Sequence, residues 1–174
     1  MRIFLIGFMG SGKSYTGKKL AHLLDYPFVD LDDWIEKEAG KTITKIFAEE
    51  GEEVFRKTEK KALHDMNQFK NVVVATGGGV PCFFDNINWM NQQGLTIFLD
   101  TPVEILISRL IAEKDHRPLL KQLPDREALK SYIEQKLEAR SPYYQQAWVI
   151  FQQQSLQENV AEQLTKQLSN IIGH

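Results

Sequence analysis

A short apolar run, Arg2–Ile6, leads straight into Gly7-Phe8-Met9-Gly10-Ser11-Gly12-Lys13-Ser14, and a segment of helical period, Lys13–Leu24, follows at once. The pattern G-x4-G-K-[ST] between a strand and a helix is a phosphate-cradling loop, and its context narrows the fold sharply. Gly7, Gly10 and Gly12 let the backbone turn tightly and aim its N–H groups inward. A phosphate then sits at a helix N-terminus, where unpaired donors and the helix dipole favour an anion. Lys13 adds a positive charge for the β- and γ-phosphates, and Ser14 offers a hydroxyl to Mg²⁺. The motif alone means nucleotide binding. It does not separate a kinase from a GTPase or a regulatory module.

The rest of the chain repeats the same alternation. Phe28–Val29, Val72–Ala75, Leu95–Leu99 and Trp148–Phe151 read as further strands, apolar enough to be covered on both faces. Helices are expected over Leu31–Glu38, Glu52–Met66, Asp85–Asn91, Val103–Glu113, Arg126–Arg140 and Leu156–Ile172. Thr42 and Asp125 suit N-caps, and Gly40 and Gly94 suit helix stops. Strands alternating with helices predict an α/β fold with a parallel sheet and helices on both faces. At 174 residues, with no Pro- or Gly-rich linker and no internal repeat, one domain is expected. Lys114–Pro124 is charged, lies between two helices and holds two prolines. It reads as an exposed loop of the kind that moves beside a ligand.

Composition removes several classes of function. Lys and Arg total 21 against 23 Asp and Glu, which argues against a dedicated nucleic-acid surface or a polybasic membrane patch. No stretch approaches a membrane span. The apolar opening is broken at Gly7, too soon for a secretory signal. Cys82 is the single cysteine, so no intrachain disulfide forms, and a reducing cytosol is the expected setting.

Several residues are candidates for handling a phosphate acceptor. No Asn-Lys-x-Asp stretch for guanine recognition is present, and the strand Val72–Ala75 runs into Thr76-Gly77-Gly78-Gly79 without an acid at its end. The carboxylates that could hold Mg²⁺ or accept a hydroxyl proton are instead Asp30, Asp32 and Asp33, at the end of the second strand. Strand ends in such sheets face one crevice. DLDD also reads simply as a turn and helix start. Gly77–Gly79 reads either as a flexible turn or as a place where a ligand approaches the backbone closely. Arg56 and Arg140 read as a solvated helix residue and a helix-terminal charge, or as planar clamps for a carboxylate.

Taken together, GFMGSGKS, FVDLDD, EEVFRKTE, VVVATGGGV, HRPLL and EARSPYY resemble the shikimate kinase family, in order and spacing, from Arg2 to about Phe151. The resemblance implies the nucleoside monophosphate kinase fold, with a five-stranded parallel sheet in the order 2-3-1-4-5. It implies transfer of a phosphoryl group from MgATP to the 3-hydroxyl of shikimate, in the pathway to aromatic amino acids. By the same resemblance, Gly10, Ser11, Gly12, Lys13, Ser14 and Tyr15 contact the nucleotide, and Ser14 and Asp30 stand at the metal. Asp32 binds the substrate hydroxyls and is the favoured proton acceptor. Arg56 and Arg140 grip the shikimate carboxylate, with Gly78 and Gly79 contacting the substrate. Arg117 is the lid arginine that reaches the ATP phosphates, so Lys13, Asp32 and Arg117 form the catalytic set. Arg109 flanks the adenine, and Gln157 stands where some members place an arginine beside it. A shikimate-binding region of about 31–60 and a lid of about 112–124 follow. The expected partners are ATP and shikimate, with no nucleic acid and no membrane, and the expected form is a monomer.

Two other readings compete. One is a kinase of another small hydroxylated acid or of a nucleotide. The other is a nucleotide-binding regulatory module without transfer activity, which would have no need of Arg56, Arg140 and Asp32.

Overall fold

The computed structural model describes residues 1–113, 118–156 and 158–172. Five parallel strands, β1 (Arg2–Ile6), β2 (Phe28–Asp30), β3 (Val72–Ala75), β4 (Leu95–Asp100) and β5 (Val149–Gln152), line up in the order β2-β3-β1-β4-β5. This is the order that the resemblance implies. The period-2 alternation of strand side chains splits the sheet between two cores. Phe4, Ile6, Val72 and Val74 point one way, onto α2 (Leu31–Ala39), α3 (Ile43–Asp65) and α4 (Asn86–Gln93). Ile3, Leu5, Val73 and Ile97 point the other way, onto α1 (Lys13–Leu24) and α8 (Val160–Ile172). A third apolar cluster joins Phe8 of the glycine-rich loop to α5 (Val103–Ala112), α6 (Pro118–Lys121) and α7 (Arg126–Tyr144).

The expected caps are in place. Thr42 Oγ1 accepts from the Lys45 N–H at 3.3 Å, and Asp125 Oδ1 accepts from the Ala128 N–H at 2.8 Å. Gly40 closes α2 in the left-handed conformation (φ 67°), and the Gly94 N–H closes α4 on Met90 O.

Several boundaries differ from expectation. Helix α3 spans Ile43–Asp65 as two helical stretches on either side of Gly51, whose backbone is not helical (φ 83°, ψ 172°); the second stretch is the helix expected from Glu52, and residues 43–50 add a stretch before it. Helix α7 continues past Arg140, through Pro142, to Tyr144. The last turn survives the proline because Tyr144 is fully buried, with its ring stacked on Phe98 at 4.9 Å. Helix α8 starts at Val160 rather than Leu156. Within Lys114–Pro124, residues 114–117 lie outside the described residues. The next stretch is not exposed loop but the short helix α6, anchored by Leu120, which is buried in the third cluster with Leu110 and Leu129.

Candidate active site

The C-terminal ends of β1, β2 and β3 open on one crevice, as the strand order requires. β1 delivers the glycine-rich loop. Gly12 sits at the N-cap of α1 in the left-handed conformation (φ 86°), which turns the loop into the helix axis. The loop lines a cavity of about 720 Å³, together with Asp30, Asp32, Thr76, Arg109 and the segment after β5. Lys13 Nζ donates to Gly7 O at 2.7 Å and to Phe8 O at 2.9 Å, holding the ammonium group inside the loop. Tyr15, by contrast, is 67% exposed at the cavity rim, with Lys19 over its ring. The Arg109 guanidinium donates to Gly10 O at 3.0 Å, which ties α5 to the loop.

β2 ends at Asp30, and Asp30 is also the N-cap of α2, with Oδ1 accepting from the Asp32 N–H at 3.0 Å. Its other oxygen, Oδ2, accepts from the Ser14 hydroxyl. Two hard oxygen donors are thus joined at the mouth of the phosphate loop. Among the described residues no cluster of three or more His, Cys, Asp or Glu side chains could cage an ion. That pairing suits Mg²⁺, which takes one or two protein oxygens and fills the rest of its octahedron with phosphate and water.

β3 delivers the glycine run, Gly77–Gly79. A Cβ at Gly77 would stand 3.2 Å from both Asp32 Oδ1 and Glu59 Oε2. At Gly78 it would stand 3.0 Å from Arg140 Nη1, and at Gly79 2.6 Å from Arg56 Nη1 and 2.9 Å from Nη2. The run is therefore not slack chain. Each glycine leaves room for a charged side chain brought from elsewhere: Asp32 from α2, Arg56 and Glu59 from α3, Arg140 from α7. Neither arginine is an ordinary surface residue. Arg56 lies against the Phe83 ring, 4.0 Å from Cζ to centroid, and Arg140 lies 5.5 Å from the Phe8 centroid.

The electrostatics follow from this crowding. Burial, reinforced by the Asp30 carboxylate, pushes the Asp32 carboxyl up to about 6, against the pull of Lys13. Burial likewise pushes Glu59 up to about 7, opposed by Arg56 and reinforced by Asp32. Cys82 lies near both arginines, yet burial pushes its thiol up to about 11, so it is no nucleophile at neutral pH.

Three residues here escaped the sequence reading. Glu59 is 2% exposed and pairs with Arg56 Nη1 at 2.9 Å. Its i, i+3 spacing from Arg56 was the available signal, since that spacing puts both on one helix face. Tyr144 donates its hydroxyl to Gly78 O at 2.6 Å, and burial keeps it protonated, with its pKa pushed up to about 12. Buried Gln153 donates from Nε2 to Ser11 O at 2.8 Å. Nothing in the local sequence marks Tyr144 or Gln153. Arg117 and Gln157 lie outside the described residues.

A family model described as shikimate kinase matches residues 9–169. The shikimate kinase of Bacteroides fragilis is 49% identical over 151 residues, covering 87% of this chain and 84% of that protein. The crystal structure of shikimate kinase from Bacteroides thetaiotaomicron superposes with a TM-score of 0.91 at 42% identity, covering 100% of this chain and 99% of that one. Shikimate kinase from Acinetobacter baumannii, in complex with shikimate, superposes with a TM-score of 0.82 at 33% identity, covering 98% and 92%. With the cradle, the sheet order and the crowded glycine run all in place, this chain belongs to the shikimate kinase family.

Proposed function

We propose that the chain transfers the γ-phosphoryl group of MgATP to the 3-hydroxyl of shikimate, giving ADP and shikimate 3-phosphate, with the two halves of the site divided as follows. Gly10–Tyr15 hold the nucleotide phosphates, Lys13 neutralises charge on the β- and γ-phosphates, and Arg109 flanks the adenine. Ser14 and Asp30 hold Mg²⁺, which when bound screens the phosphoryl oxygens. Arg56 and Arg140 take the shikimate carboxylate, and the Gly78 and Gly79 backbone lies against the ring. Asp32 orients the 3-hydroxyl and accepts its proton as the new O–P bond forms and the bond to the β-phosphate oxygen breaks.

The observation that carries this reading is the seating of Asp32, Arg140 and Arg56 against three consecutive glycines beside the phosphate loop. Shikimate has one carboxylate and three hydroxyls, so its site needs a cationic fork, a hydroxyl acceptor and close backbone. Phosphoryl transfer itself asks for in-line positioning and charge neutralisation rather than covalent help. The raised Asp32 carboxyl suits proton acceptance near neutral pH. The shikimate bound to the Acinetobacter baumannii relative supports the same acceptor.

Residues 31–60 form the shikimate-binding region of a single domain. Residues 112–124 form a lid, and its Arg117 reaches the phosphates and closes when both substrates are bound. The enzyme works as a cytosolic monomer on small molecules alone, in keeping with the single cysteine and balanced charge. No helix among the described residues is long and apolar enough to cross a membrane.

A coupled assay of ADP release with a panel of hydroxylated acids and nucleotides tests the reading. Release that depends on shikimate is expected. Release with another acceptor and not with shikimate would reassign the substrate, and tight ATP binding without transfer would make the chain a nucleotide sensor.

A further inference from the structure

The glycine run does not stop at Gly79. The chain turns at once through Val80–Cys82, with the Val80 N–H on Gly77 O at 3.1 Å and the Cys82 N–H on Gly79 O at 3.0 Å. Phe83 is extended, and Phe84 then adopts the left-handed conformation (φ 50°) with its side chain 52% exposed. A bulky residue at positive φ is strained and persists only where its surroundings impose it. Here the imposing contacts come from Asn86, which is fully buried. Its Nδ2 donates to Val80 O at 2.9 Å, and its N–H bonds Phe83 O at 3.2 Å. The Phe84 ring itself stays half exposed, with Lys60 Nζ 5.1 Å from its centroid. What the turn achieves is the placement of Phe83, whose ring is the nearer of two aromatic rings against Arg56: Phe83 at 4.0 Å, Phe55 at 5.2 Å.

Arg56 is then held on several sides. Aromatic rings cover it, Glu59 takes Nη1 at 2.9 Å, and Glu52 lies 3.5 Å from Nε. Gly79 keeps the space beside Nη1 and Nη2 open. Among the described residues Nη2 has no hydrogen-bond or ion-pair partner. We infer that Phe83 is a positioning residue for the acceptor site: it locks the guanidinium plane of Arg56, so that the donor edge beside Gly79 is presented ready to a planar carboxylate. The inference rests on the reading of Arg56 as a carboxylate clamp. One segment, Gly77–Phe83, thus carries both the opening for the substrate and the ring that aims the cation at it. A guanidinium that is already oriented loses less freedom when the carboxylate binds.

The test compares Phe83→Leu with Phe83→Tyr in the full-length enzyme. Leucine keeps apolar packing but has no ring face, whereas tyrosine keeps the face. A cation–π contact of ordinary strength corresponds to about a twofold to thirtyfold change in affinity. The expected result is a rise of that size in shikimate KM for Phe83→Leu, with ATP KM and kcat within about twofold of the parent, and near-parent values for Phe83→Tyr. A leucine variant as good as tyrosine, or equal losses for both substrates, would overturn the inference. A second measurement needs no variant. In the unliganded parent enzyme, ¹⁵N NMR of the Arg56 side chain should show slower rotation about Nε–Cζ than the exposed arginines, and rotation as fast as theirs would also overturn it. Failure of the underlying clamp reading shows separately, as an unchanged shikimate KM in Arg56→Lys.

Discussion

The two halves of this site are built in opposite ways. The phosphate cradle is one contiguous run, Gly7–Ser14, whose donors are backbone groups at the start of α1 and whose lysine folds back onto its own loop at Gly7 O and Phe8 O. The acceptor half is assembled from α2, α3, the segment after β3, and α7, with the glycine run as the surface on which their charges meet. A local device depends on φ/ψ and a helix end. A convergent device depends on the packing of elements far apart in sequence. The first therefore fails when its chemistry is removed, and the second also fails when its geometry slips.

The largest effect is expected in the cradle. Lys13→Met should lower kcat by about a thousandfold or more, because a positive charge aimed at the transferring group is lost from a largely buried position. Circular dichroism should stay unchanged, and near-normal turnover would break the cradle assignment.

Asp32→Asn comes next and probes the junction of the halves. The amide still holds a hydroxyl but cannot take its proton, so a loss in kcat of about a hundredfold or more is expected. Retained shikimate affinity in equilibrium titration marks a chemical role, and lost affinity marks a binding one. The pH profile adds a sign. Asp32 acts ionised, and burial raises its carboxyl to about 6, so kcat/KM of the parent should rise with pH through about 6 and then level. An acid limb at the ordinary carboxylate value, near 4, would mean that Asp32 is not the titrating group.

Arg56→Lys sharpens the contrast. Lysine keeps the charge but not the planar fork, so shikimate binding should weaken about tenfold to hundredfold while ATP binding stays near normal. Equal weakening of both would indicate a general packing defect instead.

The smallest effect belongs to the convergent architecture alone. Tyr144→Phe removes the hydroxyl that bonds Gly78 O, in a ring that stays stacked on Phe98. A stability loss of about 1 kcal/mol is expected in chemical denaturation, with a few-fold rise in shikimate KM and no change for ATP. A matching rise for ATP would show that the two halves are not mechanically separate.

The same contrast explains what could be read before folding. GFMGSGKS, the strand-helix alternation, the caps at Thr42 and Asp125, and the stop at Gly40 all act within a few residues of themselves. Each carries its physical cause in its own letters, and together with the family's motifs they determined the fold class, the sheet order and the nucleotide-binding loop. The helix boundaries that moved were those where a distant partner outweighed a local signal. Pro142 suggested an end to α7, and the burial of Tyr144 against Phe98 carried the helix past it. Residues 43–50 form a further helical stretch before the non-helical Gly51, with Ile46 buried in the core. In the acceptor half, the letters named Asp32, Arg56 and Arg140 but left open whether each was a surface charge. Only the tertiary structure decided that, by setting each against a glycine and by adding Glu59, Tyr144 and Phe83 around them. The physical reason is burial: a charge in water and a charge packed beside another charge share the same letter, and only the fold removes the water between them.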